Sequence, residues 1–167
     1  MATELLKSLN EYDKHTVGSL NSWKVRTLAH GAKAAEDIDN FVIGELGFDA
    51  EGNRTVSYLS DVAKKGYLVA TPERRYMDEP IDSFFNAKGE YARIVYLDEG
   101  LRFETSAFTG EPANGKFAHF DPATKKFVIH DGTHEDYASA VDKFLVVSSE
   151  EDMEYTLGQP QVRLEVL

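Results

Sequence analysis

The chain has 167 residues, 42% of them apolar and 28% charged, with a formal net charge of −11. That length fits one domain able to bury roughly two-thirds of its unfolded surface without covalent staples. It has no cysteine, which excludes disulfides, thiolate nucleophiles and thiolate metal sites. No apolar run is long enough to span a membrane, and the acidic balance disfavours nucleic acid, whose phosphates are bound by Lys and Arg.

The first residues, Met1 to Leu6, lack the basic and long apolar regions of a secretory signal. Residues 2–12 are predicted to form an amphipathic helix, because Leu5, Leu6, Leu9 and Tyr12 fall on one stripe and Thr3 can cap the start. Three turns are marginal alone, so this helix is expected to dock on its own body or on another chain. Residues 1–21 read as an N-terminal arm and 22–167 as a single β-rich domain. The first 33 residues carry five Lys/Arg (Lys7, Lys14, Lys24, Arg26, Lys33) against three acids. Residues 135–154 carry seven acids against Lys143 alone, an acidic surface suited to solubility.

Strand patterning begins at Trp23–Ala29, which alternates, and continues with the apolar run Phe41–Leu46. Asp49-Ala50-Glu51-Gly52-Asn53 is a turn cluster, and Thr55–Leu59 returns as the second arm of a hairpin. Gly66–Thr71 is a further strand, ended by Pro72. Residues 72–90 break the rhythm as an inserted loop holding Arg74, Arg75, Tyr76, Phe84 and Phe85. Arg and aromatic side chains are those interfaces favour. This loop and the Leu5/Leu6/Leu9/Tyr12 stripe are therefore the partner-binding candidates.

The second half resumes with Tyr91–Leu97 and Leu101–Thr105, predicted as a hairpin about Asp98-Glu99-Gly100. Lys116–Phe120 and Lys126–His130 flank the turn Asp121–Lys125. Phe144–Val147 is an apolar strand. The last seven residues, Gln161–Leu167, alternate with Val162, Leu164 and Val166 on one face, and Pro160 opens them. A terminal strand frays unless paired, so it is expected to pair into a sheet. About ten short strands with frequent turns predict a mainly β fold, an antiparallel small barrel or sandwich with a short N-terminal helix.

The densest polar constellation is His130-Asp131-Gly132-Thr133-His134-Glu135-Asp136, with His119 expected across the hairpin from His130. Histidines with carboxylates can bind a divalent transition metal. A His-x3-His pair, however, needs a helix to share a face, and Asp131-Gly132-Thr133 reads as a turn. The expectation is therefore solvated histidines, with no metal and no cofactor. Asp49–Asn53 lacks the spaced ligands and distal Glu of a calcium loop. There is no Gly-x-Ser-x-Gly elbow, Walker loop or Gly-x-Gly-x-x-Gly, so no catalytic residues are assigned and no enzyme is expected.

Taken together, Val25–Leu46, Gly66–Glu73, Gly115–Asp121 and Gln161–Leu167 resemble segments of the head-decoration and minor capsid proteins of tailed bacteriophages. The resemblance implies a small β-rich structural virion protein, made in the host cytoplasm and located at the head. It would bind and stabilise the assembled shell of major capsid protein, as a homo-oligomer such as a trimer, without catalysis. The loop at 72–90 and the first helix go beyond a minimal decoration domain. Other readings from the residues are a carbohydrate- or ligand-binding β-domain and a hydrolase of undetected type.

Overall fold

A computed structural model describes residues 15–73, 81–148, 155–156 and 159–167. The predicted helix at 2–12, with Leu5, Leu6, Leu9 and Tyr12, lies outside the described residues, as do Arg74, Arg75 and Tyr76.

In chain order the strands are β1 (Gly18–Leu20), β2 (Ala32–Ala34), β3 (Val42–Phe48), β4 (Arg54–Tyr58), β5 (Tyr67–Val69), β6 (Tyr91–Ala92), β7 (Ile94–Val95), β8 (Arg102–Thr105), β9 (Phe108–Thr109), β10 (Phe117–Asp121), β11 (Lys126–His130), β12 (Phe144–Val146), β13 (Tyr155–Thr156), β14 (Gln159–Pro160) and β15 (Val162–Val166). Single 3-10 turns occupy Ile81–Ser83 and Glu135–Tyr137. The fold is mainly β, as the turn-punctuated pattern predicts. Among the described residues it takes the form of two main sheets rather than a closed barrel, seven strands in the order β1-β8-β15-β12-β10-β11-β9 and six in the order β6-β2-β4-β3-β5-β7, with β13 and β14 as a separate two-stranded ribbon. Both sheets are mixed, because β9 runs parallel to β11 and β2 parallel to β4.

The β3–β4 hairpin closes on Asp49, whose Oδ1 accepts from the amides of Glu51 and Asn53 at 3.0 and 2.8 Å. At the β10–β11 turn Asp121 accepts from the Ala123 amide and the Thr124 hydroxyl. These Asx contacts hold the turn where strand pairing cannot. The C-terminal strand β15 pairs with β8 on one side and β12 on the other, and Val162, Leu164 and Val166 point into the core.

Two predicted elements differ. Trp23–Ala29 is not a strand; it contributes one isolated bridge, Thr27 to Val95. Residues 26–28 run beside β7, where Leu28 N–H donates to the Ile94 carbonyl and Tyr96 N–H to that of Arg26, but the pairing stops at that single bridge, with Val25 and Leu28 packed against the core edge. The turn at Asp98–Gly100 does not make a hairpin either: β7 lies in the six-stranded sheet and β8 in the seven-stranded one. Gly100, at φ 83°, lets the chain change layer, and glycine bears that conformation without steric cost.

The sheets share one core. Val42, Val56, Leu68 and Ile94 of one join Phe103, Phe127, Phe144 and Leu164 of the other in a single buried cluster. Phe127 and Phe144 meet edge to face with centroids 5.2 Å apart, a favoured aromatic geometry. Outside the core the layers are tied where Val141 N–H donates to the Val62 carbonyl at 2.9 Å and Gly66 N–H to Asp142 Oδ2 at 2.5 Å. None of the described helices is long and apolar enough to cross a membrane.

Candidate functional site

Along β10, Ala118 and Phe120 face the core, so Phe117 and His119 project from the opposite side of the seven-stranded sheet. The β10–β11 register sets Phe117 opposite His130 and His119 opposite Val128. His130 is thus diagonal to His119, not directly across from it, on the same outer face. Residues 131–141 then fold over that face. Asp131 accepts from the Thr133 amide and hydroxyl, making the predicted turn. His134 precedes the 3-10 turn and accepts the Asp136 N–H on Nδ1 at 3.3 Å.

The outcome is a cluster rather than a row of solvated rings. The His119 ring centroid lies 5.2 Å from that of His130 and 4.7 Å from that of His134. Tyr137 stands edge-on to His130 at 4.6 Å and tilted against Phe117 at 5.6 Å. His119 is 0% exposed. The expectation of solvated histidines therefore fails at His119, because the 131–141 segment lies over it.

Hydrogen bonds order the protons. Gly132 N–H donates to His130 Nδ1 at 2.9 Å, so His130 carries its proton on Nε2. That atom lies 3.1 Å from His119 Nδ1, which therefore accepts. The His119 proton then sits on Nε2, and this buried atom has no hydrogen-bond partner. Burial, reinforced by His134 and His130, pushes the His119 pKa down to about 4. Burial and then His134 also lower that of His130. Desolvation disfavours the imidazolium, so His119 is neutral near pH 7. His119, His134 and Asp136 each bring one possible ligand atom within 4.8 Å of the other two.

A second feature is Trp23, the single tryptophan, which is fully exposed in a bend after β1. Beside it Arg26 forms a bidentate pair with Asp98, at 3.1 and 2.5 Å, and lies 4.2 Å over the Tyr96 ring. Trp23, Arg26, Asp98 and Arg102 line a shallow cleft of about 310 Å³. A larger cleft of about 510 Å³ collects His15, Asp39, Tyr58, Ser106 and Lys125 from both sheets. His15 Nδ1 donates to Asp39 Oδ1 at 2.7 Å, and the ring stacks on Phe85 at 4.6 Å.

Of the predicted partner-binding residues, Phe84 and Phe85 are described and both are half-buried, Phe85 against His15. The full exposure of Trp23 was not foreseen, because its alternation with Val25 suggested a strand. The histidine grouping was singled out, but the burial of His119 was not, because sequence spacing does not show which turn folds back over a sheet. One signal was available: the outward positions Phe117 and Val128 are apolar, as a covered face requires.

No solved structure matches the chain. It is 56% identical over 176 aligned positions to the SPbeta prophage-derived uncharacterized protein YonC of Bacillus subtilis (strain 168), an alignment covering 100% of this chain and 99% of that protein. Residues 11–167 match the YonC prophage protein family. A family match over nearly the whole of the two-sheet domain, with a relative aligned end to end, gives the chain a phage-derived origin: it belongs to the YonC prophage protein family.

Proposed function

We propose that the protein is a non-catalytic structural component of the phage particle, binding and stabilising the assembled shell of major capsid protein in a decoration or minor capsid role. It is made in the host cytoplasm, joins the head, and acts there as a homo-oligomer. The observation that carries the reading is Trp23, held entirely in solvent beside an arginine-lined cleft. An aromatic of this size removes roughly 150–250 Å² from water when it docks, and Trp and Arg dominate interface hot spots. On a shell with many equivalent sites, an oligomer multiplies a modest contact into tight attachment.

The test is gradient-purified particles from cells carrying the intact prophage or one with Trp23→Ala. The expected result is wild-type protein in stoichiometric amounts in the head fraction, and at least tenfold less of the variant. Absence of the wild-type protein from purified particles would overturn the proposal. A second reading, a carbohydrate- or ligand-binding domain, is supported by the larger cleft, whose volume falls in the roughly 300–1,000 Å³ range of small-molecule sites. A sugar panel read by thermal shift separates the two, since that reading requires a ligand that stabilises the isolated chain and loses its effect in Lys125→Ala.

A further inference from the structure

The geometry points to a transition-metal site of the zinc class on the outer face of the seven-stranded sheet, with His119, His134 and Asp136 as ligands and His130 behind His119. We infer this from two independent features. The three side chains bring ligand atoms within 4.8 Å of one another. His119, fully buried and with its ring centroid 4.7 Å from that of His134, carries at Nε2 a nitrogen without any hydrogen-bond partner. A buried polar atom left without a partner is costly, and a bound cation gives this one a role.

The donor set selects the metal. Two imidazoles and one carboxylate suit Zn2+ and its first-row neighbours, whereas Mg2+ and Ca2+ require mainly oxygen. Tetrahedral zinc holds nitrogen and oxygen ligands at about 2.0–2.2 Å, so the three atoms must draw closer than they stand now. His119 is fixed in a central strand. His134 and Asp136 sit on the 131–137 turn, where His134 is half-buried and Asp136 exposed, so the turn can supply the movement. Three protein ligands leave a fourth position for water.

Binding also rearranges protons within the cluster without net release from the neutral rings. With the metal on His119 Nε2, its proton moves to Nδ1 and is donated to His130 Nε2. His130 in turn carries its proton on Nδ1, and its hydrogen bond from Gly132 N–H is given up. His130 thus takes the outer-shell place that metal-bound histidines normally fill with an acceptor.

The experiment is calorimetric titration of the chelator-stripped full chain with ZnCl2, alongside native mass spectrometry and 15N-detected imidazole spectra. The expected result is one Zn2+ per chain, no competition from excess Mg2+, a higher Tm, and transfer of the His119 proton from Nε2 to Nδ1 with a shift of the Gly132 amide. Losing an outer-shell partner costs roughly 10–100-fold in affinity. Losing a ligand should cost more, so His134→Ala and Asp136→Asn, both on the surface turn, should weaken binding by about 100-fold or more while keeping the fold. No Zn2+ binding at micromolar protein would overturn the inference. So would binding unchanged in the His134→Ala, Asp136→Asn double variant, or binding that leaves His119 and Gly132 unmoved, which would place the ion on surface groups elsewhere.

Discussion

Glu104 on β8 is 3% exposed, an expensive place for a carboxylate unless it is paired. Its neighbours are the residues directly opposite on both flanking strands, Ser19 on β1 and Arg163 on β15. Arg163 donates from Nε and a terminal nitrogen to Oε1 at 2.9 and 2.6 Å, and the Ser19 hydroxyl donates to Oε2 at 2.9 Å. Removing one partner of a buried pair costs about 3–5 kcal/mol, because it strands the other charge. The Arg163 side chain is 25% exposed, so the low end applies. Arg163→Met should destabilise by about 3 kcal/mol in urea unfolding, and adding Glu104→Gln should recover more than half of that. Loss below about 1 kcal/mol for the single variant would mean that water reaches Glu104 and replaces the arginine. At this scale the sequence was only partly legible. Alternation shows that Glu104 and Arg163 face away from the core, yet not that Ser19 and Arg163 on the flanking strands close around the carboxylate. The same blindness hid His119. A polar residue at an outward position reads as solvated whenever the groups that bury it come from elsewhere in the chain, as Ser19 and Arg163 do for Glu104 and His134 and Tyr137 for His119.

Elements were more legible than residues wherever local chemistry decides. Asp49 and Asp121 mark their hairpins through side-chain contacts made within four residues, and such contacts form regardless of the distant fold. The Asp98–Gly100 turn has the same local signature, but the partner of the following strand is set by tertiary pairing, so a hairpin was predicted where the chain changes sheets. The closing strand is the opposite case. Its alternation is uninterrupted, and register then follows from burial, since a one-residue slip would expose Val162, Leu164 and Val166 together. All three are at most 5% exposed, and the strand lies between β8 and β12. Each buried aliphatic contributes about 1.5–3 kcal/mol, a sum comparable with the roughly 5–15 kcal/mol of a whole domain. A chain ending at Pro160 should therefore show no cooperative melting by circular dichroism, while Leu164→Ala should remain folded and lose about 2–5 kcal/mol. Near-wild-type melting of the truncated chain would show that β8 and β12 pair without β15.

For the whole molecule, one core spanning both sheets implies one unfolding transition, because neither layer can keep its inner face dry without the other. The single tryptophan stands outside that core. Trp23 has as much solvent in the folded chain as it would have in an unfolded one, so its emission should barely shift while circular dichroism follows unfolding to completion. The same isolation makes it a reporter of docking. If the proposed attachment to the particle buries Trp23, adding purified heads to the native protein should shift its emission to the blue and protect it from iodide quenching. An excess of particles lacking the shell surface should do neither. Emission that shifts strongly on urea unfolding alone would mean Trp23 is already packed in solution, against its own chain or a second copy. An emission unchanged by saturating heads, in a mixture where the protein demonstrably co-sediments, would place the contact elsewhere on the molecule. The acidic net charge of −11 makes a salt series an informative control, since charge-driven adhesion changes with ionic strength whereas desolvation of an indole in a fitted cleft does not depend on it.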